Sequence, residues 1–107
     1  MITNERRDKS LVYLAETDLL AAELKVEVQR MDYKCDQIAA AVFLREDGNI
    51  QERQAKAKIT PEYQKAKDDY HEALVAYEAV KNKRKTEELI VEVWRSLEAS
   101  RRQAGQL

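Results

Sequence analysis

Glycine and proline are nearly missing from this chain, with two and one respectively in 107 residues. That leaves little from which to build hairpin turns or glycine-rich phosphate loops, and it argues against sandwiches, barrels and nucleotide-binding folds. A lone cysteine, Cys35, excludes an internal disulfide and fits a reducing compartment. With His71 as the one histidine, two such ligands on different helices do not make a structural zinc site. Aromatic residues are 7% of the chain against 36% charged, so the core is expected to be a stripe rather than a ball. The longest apolar run, Ile38 to Leu44, is far too short to span a bilayer, and the opening MITNERRDKS holds no apolar signal core. A net charge of −1 gives no global pull toward nucleic acid or anionic lipid. These features predict a soluble, cytoplasmic protein with no membrane association.

What is present is helix-forming. More than half of the residues are Ala, Glu, Lys, Leu or Arg. Punctuation is confined to 47–60. Gly48 follows a long periodic segment as a terminating glycine does, Asn49 with Glu52 resembles a cap, and Thr60-Pro61-Glu62 is a strong start signal. The expected architecture is all-α: one domain over 1–107, with helices over 3–46 and 61–104 and a connector at 47–60 holding a short helix over 50–58. Matched long helices joined by a short connector favour an antiparallel coiled-coil hairpin. In the first helix, Leu14, Ala21, Val28, Cys35 and Val42 form one seam position and Thr17, Leu24, Met31 and Ile38 the other. In the second, Tyr63, Ala66, Tyr70, Ala73, Tyr77 and Val80 recur at spacings of three and four. The polar stretch from Lys81 to Glu88 then interrupts the seam. Ile38–Leu44 is apolar on more than one face, and the Ile50, Ala55, Ala57 and Ile59 side of the connector is the expected cover.

A second wide apolar region pairs 11–14, Leu19 and Leu20 with 89–97, and calls for a further contact. A homodimer or higher oligomer forming a helical bundle would supply it, through Leu14, Leu20, Ile90, Val91, Trp94 and Leu97, with Trp94 as buried anchor. Cys35 reads as a small packing residue and His71 as a solvated one. No Ser or Cys stands with a base and an orienting carboxylate, so the chain reads as non-enzymatic, without cofactor or metal. Lys81, Lys83, Arg84, Lys85, Arg95, Arg101 and Arg102 concentrate positive charge on the second helix. They form a candidate contact face for a protein partner, or a stripe following a phosphate backbone, although Glu87, Glu88, Glu92 and Glu98 interrupt it.

Gly48, Glu52 and Arg53, followed by Val93, Trp94, Arg95, Ser96, Leu97, Ala99, Arg101 and Arg102, carry a resemblance. The C-terminal 60 residues or so resemble a group of small helical proteins of bacteriophages and prophages. Their genes often sit among replication and recombination genes, near single-strand annealing recombinases or single-strand binding proteins. The resemblance implies a phage-type accessory factor of DNA recombination or replication in the bacterial host cytoplasm, partnering itself and a recombinase or single-strand binding protein. It brings no established functional residues. Two other readings stay open: direct nucleic-acid binding along the basic stripe, and a phage inhibitor of a host defence or host enzyme.

Overall fold

The computed structural model describes residues 1–106. Three helices follow one another: α1 Asn4–Arg45, α2 Ile50–Ile59 and α3 Pro61–Gln106. Among the described residues there is no strand. The long helices run unbroken because neither holds an interior proline and their one glycine, Gly105, lies in the last turn of α3.

Local chemistry sets each start. Thr3 caps α1, its hydroxyl accepting from the Arg6 N–H at 3.0 Å and its carbonyl from Arg7. Asn49 caps α2 through Oδ1 to the Glu52 N–H at 2.9 Å, while its amide donates to the Glu52 carboxylate. Thr60 caps α3, receiving the Tyr63 N–H on its hydroxyl, and Pro61 occupies the first helical position. These ends lie within two residues of the sequence expectation. Gly48 turns the chain between α1 and α2 at φ +119°, a conformation that only glycine adopts without strain.

The chain divides into two compact units. The first joins residues 1–21 to α3 from Glu78 onward. Its partners ascend along α1 as they descend along α3: Asn4 and Arg7 meet Trp94, Arg6 and Ser10 meet Glu87, and Leu14, Thr17 and Asp18 meet Arg84. The second unit holds residues 22–77. It contains the buried apolar residues Cys35, Val42, Ala57 and Ala66, and half-buried Tyr63, Tyr70 and Tyr77. On α3 those tyrosines alternate with Ala66 and Ala73.

The connector helix covers α1 differently from expectation. Of Ile50, Ala55, Ala57 and Ile59, Ala57 alone is buried, and Ile50 and Ile59 point outward. Ala55 and Ile59 lie about 200° around the helix from Ala57, and Ile50 starts α2 at its free end. The cover comes instead from Arg53, whose Nε–H donates to the Phe43 carbonyl at 2.9 Å while its guanidinium lies 4.1 Å from the Phe43 ring centroid. Lys56 donates to the Asp47 carbonyl and Arg45 pairs with Glu62, tying α2 and the start of α3 to the end of α1.

Gly48→Ala should destabilise the fold by about 1–2 kcal/mol, because the new Cβ imposes strain at positive φ and would lie 2.5 Å from the Glu52 carboxylate. Gly105→Ala, with open space around it, should be neutral or slightly stabilising. Urea unfolding followed by circular dichroism separates the two.

Candidate functional site

The polar stretch at 81–88 is where the first unit departs most from an apolar seam. Arg84 and Glu87 continue the seven-residue spacing of Tyr63–Tyr70–Tyr77 and Ala66–Ala73–Val80, so helical periodicity turns both toward α1. Ser10, fully buried, lies opposite Glu87 and donates its hydroxyl to the carboxylate. Arg6 grips both Glu87 oxygens with its two terminal nitrogens, each at 2.9 Å, and also donates to the Ser10 hydroxyl. The carboxylate therefore receives three charge-assisted or hydroxyl hydrogen bonds in a nearly dry position. Hydrogen bonding from Arg6 first, and from Ser10 second, holds Glu87 well below the usual carboxylate range, at about 2.

One turn away, Arg84 inserts into the same seam. Its Nη1 donates at 2.7 Å to both the Leu14 carbonyl and the Thr17 hydroxyl, and Nη2 reaches Asp18 at 3.3 Å. Thr17 completes the chain by donating to the Tyr13 carbonyl. Beyond it, Lys83 lies 4.6 Å from the Tyr13 ring centroid. At the far end Trp94 donates its indole N–H to Asn4 at 3.0 Å, and the Arg7 guanidinium stacks 4.2 Å from the ring centroid.

These contacts redistribute the candidate residues. Leu14, Ile90, Val91 and Trp94 are half-buried within the chain, while Leu20 and Leu97 remain exposed. Of the seven basic residues, Arg84 is turned inward. Arg95 and Arg101 pair with Glu92 and Glu98 one turn earlier, Lys81 approaches Glu78 at 3.9 Å, and Lys83 covers Tyr13. Lys85 and Arg102 are exposed. Sequence reasoning passed over Arg6, Ser10 and Glu87. Their signal was the spacing of Glu87 from Val80 and of Ser10 from Thr17, seven residues in each case.

In the second unit, Cys35 is buried and burial pushes its thiol up, away from the reactive thiolate. His71 is exposed, its ring tilted against Tyr70 at 5.4 Å between centroids. An open notch of about 240 Å³ lies between Ala39, Phe43 and the α2 residues Gln54, Ala57 and Lys58. A shallow groove of about 310 Å³ runs beside Leu24, Met31, Glu72 and Ala76. Among the described residues no three His, Cys, Asp or Glu side chains group closely enough to hold a metal ion, and no helix is long and apolar enough to cross a membrane. No protein-family model, curated protein or solved structure matches the chain.

Glu87→Gln should lower stability at pH 7. In the wild type the folded carboxylate stays ionised until about pH 2, whereas the unfolded one takes up its proton near pH 4.5. The Glu87 contribution is therefore complete above that range and drains away as pH falls from about 4.5 to 2. The gap in urea midpoint between wild type and variant should narrow over those pH values. An unchanged gap would contradict the carboxylate's assigned role.

Proposed function

We propose that this chain is a non-enzymatic protein-interaction module, an antiparallel coiled-coil hairpin that works as a helical oligomer and offers one helix face to a protein partner. The observation that carries this reading is the row Leu89, Val93 and Leu97 on α3, which stay 58, 47 and 42% exposed at successive one-turn spacings. Three large apolar side chains on one narrow arc, rimmed by Lys85, Glu88, Glu92 and Ser96, have the composition of a helix that docks into another protein. The resemblance of 48–102 to small phage helical proteins supplies the setting: an accessory of DNA recombination or replication in a bacterial host, with an annealing recombinase or single-strand binding protein as partner.

Binding through protein rather than through nucleic acid is favoured because the basic residues of α3 are largely spoken for. Arg84 is consumed by α1, and Arg95 and Arg101 have carboxylate neighbours on their own helix. A phosphate-tracking surface needs cations that can exchange their counterions.

Purified wild-type chain should bind an annealing recombinase or single-strand binding protein in a direct titration, and Val93→Glu should weaken that binding at least tenfold with helicity intact. Labelled single-stranded DNA should not bind at tens of micromolar in about 50 mM salt. Salt-sensitive DNA binding would instead favour the nucleic-acid reading. A stoichiometric host enzyme held by the same face, with neither DNA nor recombination proteins bound, would favour the inhibitor reading.

A further inference from the structure

The turn between α1 and α2 holds a reactive dipeptide. Asp47 and Gly48 are both exposed, and both lie outside the helices. The other aspartates, Asp8, Asp18, Asp32, Asp36, Asp68 and Asp69, all lie within α1 or α3. The difference matters because an aspartyl carboxyl carbon can be attacked by the amide nitrogen of the residue that follows it. In a helix that N–H is committed to the carbonyl four residues earlier, and the fixed backbone cannot close the ring. Gly48 is free of both restraints. Among the described residues its N–H is committed to no backbone carbonyl, and it stands at φ +119° with no side chain to obstruct the nitrogen.

Lys56 adds chemistry to this opening. It reaches back from α2 and donates to the Asp47 carbonyl at 2.8 Å. That carbonyl belongs to the Asp47–Gly48 peptide bond, so the ammonium draws electrons from the same amide whose nitrogen must lose its proton. We propose that Asp47–Gly48 is a modification site, at which isoaspartate forms spontaneously and Lys56 promotes its formation. The proposal is independent of any partner bound through α3.

The Gly48 nitrogen attacks Cγ of the neutral Asp47 carboxyl group. A new N–Cγ bond closes a five-membered succinimide, and the amide proton and carboxyl hydroxyl leave as water. A second water then opens the ring. Attack at Cγ restores aspartate. Attack at the main-chain carbonyl carbon breaks that carbon's bond to nitrogen, so the chain now runs through Cβ and Cγ and a free carboxylate remains on Cα. One water is lost and one gained, and the mass is unchanged. The oxygen that Lys56 holds belongs to the carbonyl that water must attack to give the isomer, and it ends in the new carboxylate. Lys56 therefore polarises that carbon and then pairs with the charge of the product. The isomer adds one methylene to the main chain immediately before Gly48 and the Asn49 cap, and so lengthens the turn that leads into α2.

The test keeps the folded chain at neutral pH and body temperature for several weeks, followed by digestion with trypsin. Cleavage after Arg45 and Arg53 releases peptide 46–53, which carries the site. Electron-transfer fragmentation splits the Cα–Cβ bond of isoaspartate and so marks the isomer despite its equal mass. Wild type should show isoaspartate at Asp47 and none at the helical aspartates. Its initial rate should lie within tenfold of that in synthetic peptide 46–53, the unrestrained reference. Asp47→Glu, whose ring would be six-membered, should form no isomer and keep the wild-type circular dichroism. Lys56→Met should keep its helicity and lower the isoaspartate yield at least threefold. An unmodified Asp47, a rate more than tenfold below that of the peptide, equal modification of the helical aspartates, or a Lys56→Met yield within threefold of wild type would each overturn the proposal.

Discussion

The Glu87 carboxylate is the point on which the first unit depends. It is nearly buried, and burial of an unpaired carboxylate would be prohibitive. Its two oxygens are therefore taken up by Arg6 and Ser10 across the helix pair, and among the described residues no buried side-chain polar atom is left without a hydrogen-bond partner. Such a cluster adds little net stability over a well-packed apolar one, because desolvation offsets much of the attraction. What it adds is direction. A methyl group packs almost equally well one turn up or down, whereas Arg6 satisfies Glu87 from one position along the helix. Arg84 repeats the device one turn away, where Leu14, Thr17 and Asp18 together accept its guanidinium. Register in the first unit is thus written in hydrogen bonds.

The second unit is held by different means. Its seam is small and apolar, and Cys35, Val42, Ala57 and Ala66 are its fully enclosed residues. Asn49 and Thr60 fix where α2 and α3 begin, and Gly48 provides the reversal between α1 and α2. The two long helices together enclose few large side chains, so much apolar surface is left outside, on α1 at Val12, Leu19, Val26 and Tyr33 and on α3 at Leu89, Val93 and Leu97. A chain with so narrow a core gains from covering those faces, which is the physical reason for reading it as an interaction protein.

Much of this was legible in the sequence. Composition and the scarcity of glycine and proline pointed to helices, and Asn49, Thr60 and Pro61 marked their ends because capping is local chemistry that needs no tertiary partner. The apolar seam of α1, from Leu14 to Val42, could be read in the same way. The polar seam could not. A stretch such as Lys81–Glu88 reads as solvated by polarity alone, and Glu87 acquires its meaning only when Ser10 and Arg6 arrive from far along the chain. For the same reason the basic cluster looked like a surface, although Arg84 is spent inside. Trp94, whose size suggests a subunit anchor, is also engaged within its own chain by Asn4 and Arg7, partners that lie far away in the sequence.

The most direct test of the central claim measures register itself. Spin labels at Glu16 and Glu88, on a background with Cys35 replaced by alanine and diluted with unlabelled chain, report the distance between α1 and α3 in the first unit. The wild type should give one narrow distribution. Replacing Arg84 and Glu87 together by leucine keeps apolar packing and removes direction, so the distribution should broaden or split even where thermal stability is unchanged or higher. A single narrow distance in the leucine variant, equal to that of the wild type, would contradict the claim that the buried polar contacts set the register.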